Sequence, residues 1–400
     1  MVQSHDSLTA LETECLSLDL IDKFSKEVVD KLSLWANEEI FSKLGGSLTI
    51  ERPLKESVNA GVYFKTITPP SPHIVIHMGM IQEIYRDCFA FPVITEKAQL
   101  DSDAFNPKVF GHLKGTIFDF KGGIPRIHHI EMSEISRKYA LGFQVGFVED
   151  ILKAPELHKD HMEIHIECLK YRFQMFELML AWVFFHELSH AVQCHYKLKN
   201  DVQVDKISYE INGEDKGGVD SQAREILADV EGFEFVIMYM KRENIYHFKS
   251  SYILLTALTC MFNRFYTGKY KENFQNITGT HPHPVIREHY ISAFFRTRMM
   301  KDLPLVLEPE LYHSHAFGYI YLSIKATYAG SLFWANRHLK FTGEELTSFM
   351  KMQNRENSEE FKSYVKTLNE SIKRQLQTIR DTHLLKSSQI RQDYILPIFE

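Results

Sequence analysis

The sequence predicts an α+β fold, and three patterns in it carry this prediction. Residues 8–44 have helical periodicity, which ends at Gly45-Gly46 and gives way to short segments of strand-like character. An apolar helix that contains two histidines is expected at residues 178–190. Near the C-terminus, apolar residues recur every three or four positions, as on a helix that buries one face. We therefore expect helices packed against a small sheet.

The length of the chain suggests two or three structural units. With 400 residues, 44% of them hydrophobic and 24% charged, the chain can bury a large core. Residues 1–150 are expected to form an N-terminal α+β region, whose role the sequence does not indicate. Residues 151–300 should form the chemical core, and residues 301–400 a helical C-terminal region.

Strands are expected in the N-terminal region wherever strand-forming residues lie between turn signals. Three segments have this character: residues 47–50, 62–68 and 73–78. A glycine-proline turn at residues 122–125 separates another short strand from a helical stretch at residues 132–152. This order of elements is that of an α+β beginning.

Residues 161–168 alternate polar and apolar side chains throughout. Alternation of this kind is typical of a half-buried strand, with Met162 and Ile164 facing the core. His165 would then lie on the polar face, where an exposed histidine is expected in preference to a metal ligand. The pattern predicts a strand in the chemical core.

The most informative motif of the chain is His186-Glu187-Leu188-Ser189-His190, an HExxH sequence. Side chains four residues apart on a helix share one face, so His186 and His190 can reach a single metal ion. Glu187 can point to the open side of that ion and take a proton from water there. A chain of this length contains an HExxH by chance with a probability of roughly 5%. The motif therefore favours a zinc site but does not establish it.

The residues that follow the motif exclude one class of zinc peptidase. In the pattern HExxHxxGxxH a glycine lets the chain return a third histidine, but Gln193 and Tyr196 stand at those two positions. His195 is one residue out of register, and no glycine precedes it to break the helix. We therefore expect His195 to point away from the ion.

A better third ligand lies further along the chain, in the helical segment at residues 221–232. Glu225 and Asp229 are four residues apart there, and Glu225 follows His190 by 35 residues, enough for a loop and a returning helix. Glu225 can bind zinc, while Asp229 accepts the free ring N–H of a ligand histidine. The alternative is a solvated acidic helix face.

A third motif makes the chain resemble a known family. Thr280-His281-Pro282 with Arg287 resembles the THPxxxxR element of HtpX-like and CAAX-prenyl-protease-like gluzincin peptidases. The segment from Glu225 to Asp229 looks like their ExxAD motif, and all three motifs occur in the family's order. The resemblance covers about residues 178–290. A weaker resemblance, to phage-exclusion Lit-type proteases, is limited to the zinc helix.

The resemblance to gluzincins implies both a fold and a set of roles. The fold is a zincin-like core, in which an active-site helix and a glutamate helix lie beside a small sheet. By this resemblance His186, His190 and Glu225 are zinc ligands, Glu187 is the catalytic base, and Asp229 is the partner of a ligand histidine. His281 and Arg287 are groups near the substrate carbonyl. His283 rivals His281 for the last role.

In gluzincins a strand beside the zinc helix holds the extended substrate. The resemblance therefore implies that residues 161–168 supply this edge and bind substrate by β-augmentation. Family members are often membrane-embedded, and this chain departs from them in that respect, since its longest apolar stretches are well short of the ~20 residues that span a bilayer.

Composition, charge and cysteine content indicate which partners and which compartment to expect. A net charge of −6 and a pI near 6.4 predict no nucleic-acid partner. No targeting segment is visible at the N-terminus. Five scattered cysteines without a CxxC motif are typical of reduced thiols in a cytosol: Cys15, Cys88, Cys168, Cys194 and Cys260. The prediction is a soluble, cytoplasmic protein.

Two further segments bear on regulation and substrate access. Residues 199–220 are polar and glycine-containing, and they form either a mobile lip over the site or a plain surface connection. In the C-terminal region, Thr342 and Glu345 fit a helix capping box. The amphipathic helix that follows, from Phe361 to Ile379, should pack on the core, although it could also bind a regulatory partner.

These observations predict a zinc-dependent endopeptidase that hydrolyses a protein or peptide substrate. The alternatives are a zinc-bearing regulatory or binding protein without proteolytic activity, and a Lit-like defence protease that acts on a host factor. Structural zinc sites usually have four protein ligands, commonly cysteines, whereas this motif set supplies three ligands and a base. A regulatory partner would bind through the N- or C-terminal region.

Overall fold

The computed structural model describes seven helices and a small sheet. It covers residues 18–91, 159–198, 208–209, 218–246, 248–266, 279–302 and 358–385, together with parts of 319–352. The helices are α1 (Leu18–Ala36), α2 (Met78–Ala90), α3 (Lys159–Val192), α4 (Val219–Arg242), α5 (Phe248–Phe265), α6 (Pro284–Asp302) and α7 (Glu359–Thr382). The strands are β1 (Thr49–Glu51), β2 (Ala60–Thr66), β3 (Ser71–Ile76) and β4 (Ser208–Tyr209). The predicted α+β class is confirmed, with mostly helical content.

The sheet has the strand order β1-β3-β2-β4. β1 runs parallel to β3, while β2 is antiparallel to both β3 and β4. Val62 of β2 pairs with Ile74 on one side and with Ser208 on the other. The three predicted N-terminal strands are confirmed at β1, β2 and β3. The connection between α3 and α4 adds β4, which the sequence did not predict.

Helix α3 is the centre of the described structure, since α1, α2, α4, α5 and the sheet all contact it. Its C-terminal half is buried on every side: Leu178, Trp182, Phe184 and Phe185 are fully buried. A helix that is apolar all round belongs in a core, which explains why this stretch shows no amphipathic period. The apolar helix predicted at residues 178–190 is confirmed.

The strand predicted at residues 161–168 is wrong, because these residues form the first turns of α3. Eight alternating residues fit a strand locally, but Met162, Glu163 and Glu167 are also good helix formers. They precede a strongly helical segment without a break, so the helix propagates through them. This removes residues 161–168 as a sheet edge for substrate. The side chain of His165 lies outside the described residues.

The N-terminal helix prediction is confirmed from Leu18 onward. α1 continues into a π-helical turn at Asn37–Phe41 and a 3₁₀ turn at Ser42–Leu44, and Gly45 then ends it with φ of 71°. A Cβ at Gly46 would lie 1.9 Å from the carbonyl oxygen of Pro70, so only glycine fits that crossing.

Several predictions fall outside the described residues. They concern residues 8–17, the turn and helix between 122 and 152, the capping box at 342–345, and most of the connection at 199–217. The side chains of Cys15 and Cys168 also lie outside, while Cys88, Cys194 and Cys260 are buried free thiols. No helix of the described part is long and apolar enough to cross a membrane.

The predicted packing of the C-terminal helix on the core is confirmed. Ser358 caps α7 by accepting a hydrogen bond from the Phe361 backbone N–H. The buried face of α7 consists of Phe361, Tyr364, Leu368, Ile372, Leu376 and Ile379. Gln375 donates a hydrogen bond to the Asp220 carbonyl in the first turn of α4. This packing brings the residues after α7 to the C-terminal end of α3.

Candidate metal centre

Three side chains of the sequence motifs converge at the contact between α3 and α4. His186 Nε2 lies 3.0 Å from His190 Nε2. The Glu225 Oε2 atom lies 3.2 Å from the first of these nitrogens and 3.6 Å from the second. In the described part of the chain, these three residues form the group whose ligand atoms could hold a metal ion.

The spacing of these three atoms fits a tetrahedral ion. Ligand atoms about 2.0–2.1 Å from a tetrahedral zinc stand roughly 3.3 Å from one another. The observed separations of 3.0, 3.2 and 3.6 Å bracket that value. Two imidazole nitrogens and one carboxylate oxygen are all electron-pair donors, so a cation between them would satisfy all three. The residues present therefore fit a metal ion.

A close approach of the two helices produces this geometry. A Cβ on Gly232 would lie 3.0 Å from the His186 backbone nitrogen and 3.1 Å from its Cα. These distances are tighter than ordinary van der Waals contact, so Gly232 allows α4 to lie against α3 at the first ligand. Glu225 and Asp229 precede Gly232 on the same helix and thereby face His186.

Asp229 and Arg287 fix the orientation of His186. The His186 Nδ1 atom lies 2.9 Å from Asp229 Oδ1, which leaves Nε2 directed at Glu225. Arg287 binds Asp229 through two nitrogens, at 2.7 and 2.6 Å, and its guanidinium lies over the Phe262 ring. Burial alone would raise the pKa of Asp229, but Arg287 and His186 together outweigh it and lower this pKa, so the carboxylate is ionised. The predicted contact of Asp229 with a ligand histidine is present.

His190 has a different partner, His195, which was expected to point away from the ion. The Nδ1 atoms of His190 and His195 lie 2.7 Å apart. As expected, His195 does not belong to the group that could hold a metal ion, but it contacts the ring nitrogen of His190 that faces away from that group. This contact forms because Cys194 takes a left-handed conformation, with φ of 53° and ψ of 42°, and ends the helix without a glycine. A non-glycine residue in this region costs roughly 1–2 kcal/mol. Burial lowers the pKa of His195 well below its ordinary value, which favours a neutral ring.

Glu187 stands beside His186 on α3 and is 1% exposed. Taking an ionised carboxylate out of water costs several kcal/mol unless charges or hydrogen bonds compensate. A buried carboxylate next to a metal ligand is suited to exchange a proton with a molecule held at the ion.

Glu225 also contacts His281, which the sequence placed near the substrate. His281 Nε2 lies 3.4 Å from Glu225 Oε2, and its other nitrogen lies 2.9 Å from Thr280 Oγ1. The ring stacks on Phe265, and burial lowers the pKa of His281 to about 4. His281 does not belong to the group of mutually close ligand atoms. It is a neutral imidazole at the border of the site.

The other two residues of this segment, Arg287 and His283, form their hydrogen bonds with Asp229 and with the Val285 backbone. Arg287 is fully buried, and its two hydrogen bonds to Asp229 describe an orienting group, in contrast to the implied role near a substrate carbonyl. His283 Nδ1 accepts the Val285 backbone N–H at the start of α6, and burial lowers the pKa of His283 to about 3. His281 is therefore the better placed of the two histidines.

Two further buried glutamates of α4 are occupied elsewhere. Glu231 accepts hydrogen bonds from His383 and Gln193, and Glu234 pairs with Arg298 at 3.0 Å. Neither belongs to the group that could hold a metal ion, in which Glu225 is the carboxylate. The contacts of His195, Glu231 and His383 were not predicted from the sequence. The signal that could have indicated them is a polar side chain in an otherwise apolar segment next to a motif, since such a group needs a partner when it is buried.

Comparisons of this chain with protein-family models, with curated proteins and with solved structures gave no match. What is established is therefore the geometry: a mixed, mostly helical α+β structure with a group of two histidines and a glutamate that could hold a metal ion.

Proposed function

We propose that this chain is a zinc-dependent endopeptidase with a zincin-like core. The observation that carries the proposal is the triangle of His186 Nε2, His190 Nε2 and Glu225 Oε2, whose edges match those of a tetrahedral zinc site. Two imidazoles and one carboxylate are a donor set that suits zinc.

The proposed chemistry is addition of water to a peptide carbonyl. Zinc held by these three residues would lower the pKa of water toward ~7 and polarise the carbonyl oxygen. Glu187 accepts the proton of the attacking water and passes it to the leaving nitrogen. His281, with a proton on Nε2, donates a hydrogen bond to the oxygen that becomes negative. Arg287 and Asp229 keep His186 in the tautomer that leaves Nε2 free to bind.

Two features favour hydrolysis over a purely structural ion. Catalytic zinc sites have three protein ligands and an open position, whereas structural sites are closed by four, commonly with cysteine. The group found among the residues that the structure describes has three members and no cysteine. A structural ion also does not require a carboxylate such as Glu187 beside its ligands. The substrate class we propose is a protein or peptide in the cytoplasm.

Replacement of Glu187 by glutamine tests the proposal. The amide keeps the size of the carboxylate but accepts no proton, so we expect zinc and fold to be retained and the rate to fall by ~10² to 10⁴. The measurement is a comparison of new protein N-termini in cells that express either the unchanged chain or the variant. Ser189→Ala, inside the same motif, is the matched control and should keep activity. Identical N-termini with Glu187→Gln, at equal abundance and zinc content, would contradict proteolysis.

A second variant tests the role given to His281. His281→Ala should retain zinc and lower the rate by ~10² to 10³, because one donor to the oxyanion is lost. His283→Asn keeps an acceptor for the Val285 N–H and serves as the control. A rate that falls with His283→Asn but not with His281→Ala would assign the donor to the other histidine.

A further inference from the structure

Three consecutive residues at the end of α3 and in the turn that follows it make contacts with other segments of the chain. The Val192 carbonyl accepts the backbone N–H of Leu384 at 2.8 Å. Gln193 donates to the Leu227 carbonyl at 3.0 Å and also to the Glu231 carboxylate. Cys194 Sγ lies 3.2 Å from the Thr382 carbonyl oxygen. Each of these contacts comes from α4 or from the end of α7.

Residues 382–385, which we call the C-terminal clamp, are themselves fixed to α4. His383 is fully buried, and its Nδ1 accepts the Leu385 backbone N–H at 2.9 Å. The proton of a neutral His383 ring must then lie on Nε2, which donates to the two Glu231 oxygens at 2.9 and 3.0 Å. Glu231 thus binds both the clamp and Gln193, and it connects the clamp to the turn.

The turn determines where His195 lies. Cys194 has the left-handed conformation that reverses the chain after α3, and His195 follows it directly. His195 is 3% exposed, and its Nδ1 reaches the Nδ1 of His190 at 2.7 Å. Without the left-handed residue the helix would continue, and a side chain five positions after His190 would face another direction.

The direction of the hydrogen bond between the two rings follows from metal binding. A neutral His190 that binds an ion through Nε2 carries its proton on Nδ1, so it donates and His195 Nδ1 accepts. An acceptor on the second nitrogen of a ligand histidine fixes its tautomer and orientation. Asp229 does this for His186, and an imidazole does it for His190.

We propose that His195 is a positioning residue for the ligand His190, and that the C-terminal clamp holds the turn which places it there. This inference rests on the proposed zinc site, but not on peptide hydrolysis. The C-terminal region thereby acquires a defined role: it stabilises one half of the metal centre from a distance.

Three substitutions at His195 test the acceptor. Asparagine places an oxygen where Nδ1 was, glutamine places it one atom further out, and phenylalanine fills the space without an acceptor. The zinc dissociation constant, measured by competition with a chelating dye, should rise 10- to 100-fold for His195→Phe and His195→Gln and by less than about threefold for His195→Asn. Visible spectra of the cobalt-loaded proteins should change for the first two variants only. If phenylalanine prevents folding, the contrast between asparagine and glutamine carries the test.

A double-mutant cycle tests the clamp. Glu231→Ala should raise the zinc dissociation constant about tenfold in the unchanged chain and have no further effect when His195 is phenylalanine, because both act through one contact. Glu234→Ala breaks a buried ion pair on the same helix and should leave zinc affinity unchanged. Additive effects of Glu231→Ala and His195→Phe would overturn the role of the clamp.

Two other results would overturn the inference as a whole. The first is zinc affinity that is equal in His195→Phe and in the unchanged chain. The second is an unchanged chain that binds no zinc, which would also overturn the proposed function. If the predicted affinities are observed but the chain cleaves no protein, the positioning role stands and hydrolysis fails.

Discussion

Two clusters of buried polar side chains differ in how their charged groups are paired. In the first, Asp87 of α2 is 1% exposed and binds Arg264, Arg337 at 3.1 Å and His338 at 2.8 Å. Glu83 pairs with Arg264 at 3.3 Å and with Arg86 at 2.6 Å. Two carboxylates therefore meet three guanidinium groups, so each carboxylate has a cationic partner. This cluster joins α2, α5 and the π-helical turn Ala335–Leu339.

Glu225 at the metal centre is not paired with a guanidinium in this way. Its ion-pair partners within the described structure are three histidines, with no lysine or arginine among them. Asp229 pairs with Arg287. A divalent cation would give Glu225 a counter-charge and fill the space between three electron-pair donors. Burial of polar side chains therefore does not by itself indicate a metal site, whereas a buried carboxylate whose ion-pair partners are all imidazoles does.

The largest expected effect is loss of zinc from the metal centre alone. His186→Ala, His190→Ala and Glu225→Ala should each reduce bound zinc from about one ion per chain to nearly none, because two protein ligands are too few. Asp87→Ala should leave zinc content unchanged but lower the free energy of unfolding by roughly 3–5 kcal/mol, since it strands buried arginines. Metal analysis and denaturant unfolding measure the two effects. Zinc loss in Asp87→Ala with an intact fold would remove the distinction.

A fall in pH should affect the two clusters at different pH values. Protons compete with zinc for imidazole, so zinc should be released as the pH falls through about 6.5 to 5. Burial raises the pKa of Asp87, but Arg264 and His338 outweigh it and hold this pKa below the ordinary value of 3.8. A depressed carboxyl pKa gives stability that is present above 3.8 and lost below it. Zinc release, followed with an indicator dye, should precede unfolding, followed by circular dichroism, and Asp87→Asn should shift only the second.

The orienting groups of the metal centre should have an intermediate effect. Asp229→Asn keeps an oxygen near His186 Nδ1 but removes the charge that faces Arg287, so zinc affinity should fall roughly 10- to 100-fold. Glu83→Gln removes a charge that faces Arg86 and Arg264 in the Asp87 cluster and is the control. Competition with a chelator measures both, and an equal loss in the two variants would count against a specific role of Asp229.

The smallest effect is expected from the spacing of the helices. Gly232→Ala forces α4 away from His186 by a few tenths of an ångström and should cost ~1–3 kcal/mol of stability, with a several-fold loss of zinc affinity. Gly330→Ala also overpacks the core, since its Cβ would lie 2.8 Å from Thr259 Cβ, but far along the chain from the ligands. It should destabilise without changing zinc affinity. Equal zinc affinity in both variants would show that the helix spacing is not critical.

The residues of the motifs could be predicted from sequence because short-range geometry governs them. His186 and His190 share a helix face by periodicity, and Glu225 and Asp229 do so on a second helix. The contact of Glu225 with both histidines required only that α3 and α4 be antiparallel neighbours. The strands β1 to β3 were predictable for the same reason, since turn signals bound each of them.

The remaining features depend on contacts between distant parts of the chain. Residues 161–168 became helix because of the helix that follows them, which a local alternation does not reveal. His195 reaches His190 because Cys194 adopts a left-handed conformation that residues 382–385 support. The resemblance implied a role near the substrate for Arg287, but the fold buries this side chain completely and pairs it with Asp229. Long-range packing decided each of these.

The most direct test of a metal-dependent site is an anomalous diffraction map, recorded at the zinc absorption edge, from crystals of the full chain grown with zinc. We expect one peak about 2.0–2.2 Å from His186 Nε2, His190 Nε2 and Glu225 Oε2, with no cysteine sulfur in contact. A zinc-loaded chain whose peak lies elsewhere, or crystals without a peak between these three atoms, would contradict this expectation.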